Sequence, residues 1–381
     1  MRYENKFLRG GLSLTDNPFF LKRCTLQVFD TTGSSYSVYG CFFNSHKFSY
    51  RDAGVESLSG RFERLIREKK PHTEYCSLEL SFNELEYFFE LDTFKTAHDD
   101  NLNKLVFTKD ETPIIQKELS DGLQICARSR FEGIFESDDI TNLNIQQTKV
   151  ISLSGDKPKS ADEWMNIVKK IKHFFEFDLQ REIVITTCVF YETQERTERD
   201  SVLMADPLLR VKTHPVKNET NQHSIATPEE ILDGLTNWLS IYDQYSGVFR
   251  IWQKTIYNSD VEQEDLFLWK CQAFELLCTV NADLYNKART IKSDNQWDPN
   301  IEDFLKAADD TFGLPKWDGK YYEDTKKARN IVTHHKPNKK IDDISWRNSV
   351  QMINGYFTRC VAEIAKYKYF ARGMLFSNAR G

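Results

Sequence analysis

No stretch of the 381-residue chain approaches the ~20 consecutive apolar residues of a membrane-spanning helix. The N-terminus, MRYENKFLRGG, carries no apolar core of the kind that directs secretion. The expectation is a cytoplasmic protein that makes no membrane contact. The eight cysteines, at positions 24, 41, 76, 126, 188, 271, 278 and 360, never form a CxxC pair and sit in otherwise apolar segments. They read as small buried hydrophobes in a reducing compartment, so neither disulfides nor a zinc site is expected. Gly10-Gly11 and Gly33-Ser34-Ser35 lack the spacing of a loop that cradles phosphate and read as turns. Positive charge is not in excess either, with 51 Lys and Arg against 57 Asp and Glu and a net charge of −6. A polyanionic partner must therefore be met by a local basic patch. The carboxylate pairs Asp99-Asp100 and Asp138-Asp139 fall between apolar segments and read as solvated turns in preference to metal ligands. No metal or other cofactor is expected.

Aromatic residues are plentiful, with 27 Phe and 16 Tyr. In residues 1 to 157 they sit in short segments rich in β-branched side chains and separated by polar turns. Strands are predicted at CTLQVFD (24–30), YSVYGCFF (36–43), EYCSLELSF (74–82), LEYFFEL (85–91), LQICARS (123–129) and KVISLSG (149–155). This pattern predicts an antiparallel sandwich or open barrel. Ser160, with Glu163 three residues on, is a capping box, and Trp164, Ile167, Val168, Ile171, Phe174 and Phe175 follow at helical spacing. The helix is expected to pack on the sheet, with His173 a packed or surface histidine. REIVITTCVFYE (181–192) then returns as a strand. From Thr193 to Ala226 the chain turns polar, which divides a β-rich domain, 1–220, from a second domain, 227–381.

The second domain reads as all helical, so the fold class is α+β. Thr227-Pro228-Glu229-Glu230 places a capping threonine, a first-turn proline and a glutamate at the third helical position. Ile231, Leu232, Leu235, Trp238, Leu239 and Tyr242 then trace one face. A helix predicted over Gln263–Tyr285 is apolar nearly all round in LFLWKCQAFELLCTV, which makes it the centre of a bundle. Glu275 lies in that run beside Cys271 and Cys278, and a carboxylate there needs a partner or a changed pKa. Arg329 is the expected partner, either within a site or as a plain structural salt bridge; a half-exposed glutamate is the remaining alternative. Helices are also predicted over 301–312 and 321–332, with a long one from Asp343 carrying Ile353, Tyr356, Phe357, Cys360, Ile364 and Tyr367 on one face. The count is about five helices.

The stretch KYYEDTKKARNIVTHHKPNKK (320–340) concentrates residues that can act on a phosphodiester. In Arg329-Asn330-Ile331-Val332-Thr333-His334, arginine offers a permanently charged planar fork to phosphate oxygens. Histidine, with an unperturbed pKa of about 6.5, can serve as base and then as acid near neutral pH. Asn330 can orient the phosphate. Lys326, Lys327, Lys336, Lys339 and Lys340, with Arg347, supply attraction to a nucleic-acid backbone that is blind to sequence. Pro337 cannot continue a helix, so this one is predicted to end near Thr333. Five residues separate Arg329 from His334, about 140° around a regular helix, so the two converge only if the chain loosens between them. The hexapeptide alone is equally consistent with a solvated helix end whose basic residues complement the dipole.

The order of these elements resembles the HEPN superfamily, in which an R-x4-6-H motif ends the helix before the last long one, commonly with Asn after the Arg. Arg329, Asn330 and His334 match that motif position by position, and Glu275 within AFELL resembles the acidic residue often found in an earlier helix. His335 would also satisfy the looser spacing, so the resemblance leaves open which imidazole acts. The succession of a β-rich half, SADEWMNIVKKIKHFFEFDLQREIVITTCVFY and EEILDGLTNWLSIY resembles the ApeA-type anti-phage proteins, which join an ApeA N-terminal domain to an ApeA-like HEPN domain. The likeness spans the chain, with RNIVTH its specific part and the N-terminal half diffuse.

The resemblance implies a metal-independent endoribonuclease in which a 2′-OH attacks its own phosphodiester, leaving a 2′,3′-cyclic phosphate and a 5′-OH. His334 would be general base or acid, Arg329 the transition-state stabiliser and Asn330 a positioning group. One histidine cannot serve both sides of an in-line displacement, so a homodimer through the helical domain is expected. The setting implied is abortive infection, with RNA such as tRNA as substrate and a phage component sensed by the β-rich half as trigger. Three alternatives stand beside it. They are a non-catalytic HEPN-like module that binds RNA, nucleotide or protein, a β-sandwich that binds a glycan or peptide, and a metal-dependent nuclease built on the loop carboxylates.

Overall fold

In the computed structural model the described residues are 8–9, 24–30, 35–49, 54–61, 64–68, 74–89, 94–99, 104–109, 115–119, 122–135, 143–193, 201–205, 226–258, 261–292, 298–314, 319–334 and 342–370. The chain divides into two compact units, residues 1–169 with 184–228 and residues 170–183 with 229–381.

The first unit is built on antiparallel strands. They are β1 (Leu8–Arg9), β2 (Cys24–Asp30), β3 (Ser35–Ser49), β4 (Gly54–Arg61), β5 (Arg64–Glu68), β6 (Glu74–Phe82) and β7 (Phe94–Asp99). There follow β8 (Lys104–Lys109), β9 (Ile115–Glu118), β10 (Leu123–Phe135), β11 (Leu143–Ser160), β12 (Ile185–Tyr191) and β13 (Ser201–Ala205). Eleven of them form one sheet in the order β1-β2-β3-β5-β13-β12-β6-β11-β10-β9, with β4 paired to β3, while β7 and β8 pair with each other.

Register explains why the centre of this sheet is stable. Leu78 and Leu80 of β6 face Leu153 and Ile151 of β11, and Leu80 also faces Cys188 of β12, so one face is continuous apolar surface. The alternate positions Ser77, Glu79 and Ser152 are buried on the other face. Glu79 is only 2% exposed and survives there because its carboxylate is saturated. It accepts from Ser152 Oγ at 3.2 Å and Tyr191 Oη at 2.8 Å and pairs with Arg128.

Two local expectations fail in this unit. The segment expected as a strand over 85–91 begins as a 3-10 turn over Asn83–Tyr87, because Leu85, Phe88 and Phe89, all buried, sit at helical rather than alternating spacing. Residues 90 and 91 lie outside the described set. Within the polar stretch expected as a connector, Ser201–Ala205 pairs with both β12 and β5 as a strand.

Helix α1 (Ala161–Leu179) opens with the predicted capping box. Glu163 Oε2 accepts from the Ser160 amide at 2.8 Å, and the Glu163 amide donates back to Ser160 Oγ at 3.3 Å. Trp164, fully buried, donates from Nε1 to the Tyr75 carbonyl at 2.9 Å and ties the first turn of the helix to β6. From Lys170 onward the helix belongs to the second unit, where Phe174 and Phe177 pack on Trp238 and Phe370. His173 is packed, with Nδ1 2.5 Å from Tyr242 Oη.

The second unit further contains α2 (Pro228–Tyr242), α3 (Ser246–Tyr257), α4 (Gln263–Val280), α5 (Ala282–Lys292), α6 (Ile301–Phe312), α7 (Gly319–Thr333) and α8 (Asp343–Ile364). Among the described residues that is seven helices where about five were expected. Helix α3 was not foreseen, although Val248, Phe249 and Trp252 form its buried stripe, with Trp252 stacked on Phe357 at 4.0 Å. The helix expected over 263–285 is two helices. Asn281 adopts an extended conformation (φ −84°, ψ 109°) and its side chain accepts from the Leu284 amide at 3.1 Å, which ends α4 and caps α5. Among the described residues no helix is long and apolar enough to cross a membrane.

Candidate functional site

Helix α4 carries Cys271, Phe274, Glu275 and Cys278 towards the other helices, and all of these but Glu275 are buried outright. Burial of the Cys271 thiol, with the nearby Glu275 charge, pushes it well above the ordinary thiol range and keeps it neutral; Cys278 is shifted the same way by burial. Both are packing residues. Glu275 lies one turn beyond Cys271, and Arg329 Nη2 of α7 donates to its Oε2 at 3.1 Å. The pair is partly open, with Arg329 28% and Glu275 22% exposed. Burial holds the Glu275 carboxyl above its usual value, and the charge and hydrogen bond of Arg329 pull it back down. Arg329 Nε is buried and, among the described residues, has no hydrogen-bond partner. The guanidinium is anchored at one nitrogen, and its partial exposure leaves donors within reach of another acceptor.

Helix α7 stays regular through the motif. Thr333 Oγ1 donates to the Arg329 carbonyl at 2.7 Å, and the His334 amide donates to the Asn330 carbonyl at 3.2 Å, both spanning one α-helical turn. The loosening expected between Arg329 and His334 is therefore absent, because the backbone ladder continues past Thr333. With about 140° between them, the two side chains leave the helix in different directions. His334 is exposed at the helix end and Asn330 is half-buried. Among the described residues, no hydrogen bond or ion pair joins His334 to Arg329 or Glu275.

The basic residues of this region are partly engaged within the chain. Lys326 pairs with Glu302 of α6 at 3.0 Å, and the same carboxylate holds Lys306 at 2.7 Å. Lys327 pairs with Glu323 at 3.1 Å on the solvent side of its own helix. Such half-exposed pairs are weak and exchange readily for another anion. His335, Lys336, Pro337, Lys339 and Lys340 lie outside the described residues, as do Asp100, Asp138 and Asp139. Among the described residues, no three His, Cys, Asp or Glu side chains gather as a metal-binding group.

One cluster next to the motif was not anticipated. Asp309 of α6, 4% exposed, accepts from Tyr322 of α7 and from Tyr356 Oη of α8 at 2.5 Å, and the two phenol oxygens are 3.3 Å apart. The available signal was the seven-residue spacing of Tyr322 and Arg329, which sets both on one side of α7. Nothing in ADDTF distinguishes the buried Asp309 from the exposed Asp310 beside it.

No curated protein and no solved structure matches the chain. Residues 23–252 match ApeA N-terminal domain 1. The match runs from β2 into α3 and stops short of Glu275 and Arg329, so it concerns strands β2 to β13, α1, α2 and the first half of α3. It covers well over half of the chain, and the chain therefore belongs to the ApeA N-terminal domain 1 family.

Proposed function

We propose that the protein is a metal-independent HEPN-type endoribonuclease that acts in the cytoplasm as an anti-phage effector. The observation that carries this reading is the state of Arg329. It is a guanidinium fixed by one bond to a partly buried carboxylate and still 28% exposed, on the helix that ends in Asn330 and His334. A phosphate oxygen is the acceptor such a group favours. Arg329 would stabilise the charge that develops on the phosphate as the 2′-OH attacks, Glu275 would hold the guanidinium, and Asn330 would orient the backbone. His334 would move the proton. Membership of the ApeA N-terminal family points to anti-phage defence, and the sheet unit is the proposed sensor of a phage component.

The regularity of α7 supports a homodimer. Arg329 and His334 of one chain diverge, so a scissile phosphate gripped by one protomer is better served by a histidine from a second, each site using both copies. RNA, including tRNA, is the proposed substrate, with Lys326, Lys327, Lys336, Lys339 and Lys340 meeting its backbone as the Lys326–Glu302 and Lys327–Glu323 pairs exchange.

Cleavage of total cellular RNA in excess EDTA, by wild type beside Arg329→Ala and His334→Ala, tests the reading. Fragments with 2′,3′-cyclic phosphate ends are expected from wild type and from neither variant. No cleavage, even with phage-infected lysate added as trigger, would turn the assignment to an RNA-, nucleotide- or protein-binding module.

A further inference from the structure

Helix α7 is tied to its neighbours along one side. Tyr322 and Arg329 are seven residues apart, about 20° short of two full turns, so they share a face. Each reaches a carboxylate on another helix, Tyr322 that of Asp309 on α6 and Arg329 that of Glu275 on α4. Between them Lys326 pairs with Glu302 of α6, and Thr325 Oγ1 lies 3.4 Å from Met352 Sδ of α8. Of these ties the first is the stiffest, because Asp309 is buried and charge-assisted bonds from two phenols engage both its oxygens. Burial and the Asp309 contact push the Tyr356 phenol far above its ordinary range, so it remains a donor. Thr325, by contrast, is held through sulfur, and Lys326 is on the surface.

We propose that Asp309 is a positioning residue for Arg329: by holding Tyr322 it sets the rotation and axial register of α7, and with them the place of the guanidinium. The consequence for catalysis rests on the ribonuclease reading; the positioning itself does not. Rotating a helix by about 20° carries a group at its ~5–6 Å outer radius through about 2 Å. A misplacement of ~1 Å can cost on the order of 10² in rate at a preorganised site. Glu275 touches the guanidinium directly, whereas Asp309 acts at a distance of two turns, through the helix.

Tyr322→Phe in the full-length protein removes this tie while keeping the ring. Tyr257→Phe is the control, since it also takes a phenol from a buried carboxylate, that of Glu176, at 2.5 Å, but on α1 and α3. Cleavage of an RNA oligonucleotide by Tyr322→Phe should show kcat lowered about tenfold with KM within about twofold, and the control should keep wild-type kcat at a comparable loss in Tm. The second readout is the Nε–H resonance of Arg329 in protein labelled with 15N-arginine, assigned by its loss in Arg329→Lys. It should move in Tyr322→Phe and stay in Tyr257→Phe. Losses of kcat that follow Tm alike in both variants, or an unmoved resonance, would overturn the proposal. If wild type cleaves no RNA under any trigger, the ribonuclease reading falls, and the resonance alone decides the role of Asp309.

Discussion

Of the cation–carboxylate pairs in the helical unit, Lys172–Glu176 and Arg329–Glu275 are finished to different degrees. Glu176 of α1 is fully buried, and its Oε1 takes Lys172 Nζ at 2.5 Å and the Ile183 amide at 3.1 Å, while its Oε2 takes Tyr257 Oη at 2.5 Å. Lys172, 5% exposed, also lies over the Tyr257 ring. Glu275 and Arg329 share one bond at 3.1 Å, stay partly exposed and leave Arg329 Nε unmatched among the described residues. Burial raises both carboxyls. The first network has both carboxylate oxygens of Glu176 engaged inside the chain, and so it serves to hold helices together. The second holds its cation at one point and keeps the rest, which is the condition for an incoming anion to gain more than it loses. On the proposed function, the degree of saturation, and not the presence of a buried charge pair, separates scaffold from candidate site.

The comparison is broken most directly at Glu176. Glu176→Ala leaves Lys172 buried without its counter-charge, and chemical denaturation should show a loss of about 3–5 kcal/mol. RNA cleavage by the remaining folded protein should be unchanged. Glu275→Ala should do the reverse, lowering cleavage about tenfold or more, while its partly open pair contributes about 1 kcal/mol or less to stability. A stability loss equal to that of Glu176→Ala would erase the distinction. His334→Ala removes an exposed side chain at a helix end, so its unfolding free energy should stay within about 0.5 kcal/mol of wild type.

The smallest effect concerns pH. The folded state raises the Glu176 carboxyl above its ordinary value of 4.5, so the native protein binds that proton more tightly than the unfolded chain does. Its stabilising contribution is therefore complete below the unfolded value and is lost as pH rises through the folded one, by at most about 1.4 kcal/mol per pH unit. Urea titrations from about pH 4 to 8 should show the stability of wild type relative to Glu176→Gln declining as pH rises. A difference that is flat, or grows with pH, would mean that Lys172, Tyr257 and the Ile183 amide outweigh burial at Glu176.

Legibility followed the range of the interaction concerned. The Ser160–Glu163 box, the start of α2 at Pro228, the limits of α6 at Ile301 and Phe312 and the start of α8 at Asp343 were all readable, because each depends on groups within one or two turns. The 3-10 turn over Asn83–Tyr87 was mistaken for a strand because a short apolar run fits either state until burial selects one. Strand β13 was hidden in a polar stretch because its hydrogen-bond partners come from β12 and from the distant β5. At the candidate site, the spacing of Arg329 and His334 and the isolation of Glu275 in an apolar run were visible, and Glu275 does meet Arg329 across 54 residues.

What the sequence determined by itself was therefore local: caps, helical stripes, the end of α7 near Thr333 and the residue types able to handle a phosphate. The tertiary structure alone decided which of two adjacent aspartates, Asp309 or Asp310, would be buried against tyrosines from two other helices. It alone decided that the Glu176 network would close while Arg329 Nε, among the described residues, went unmatched. The physical reason is that burial and saturation are properties of surroundings assembled from residues far apart in the chain, and no window of sequence contains them.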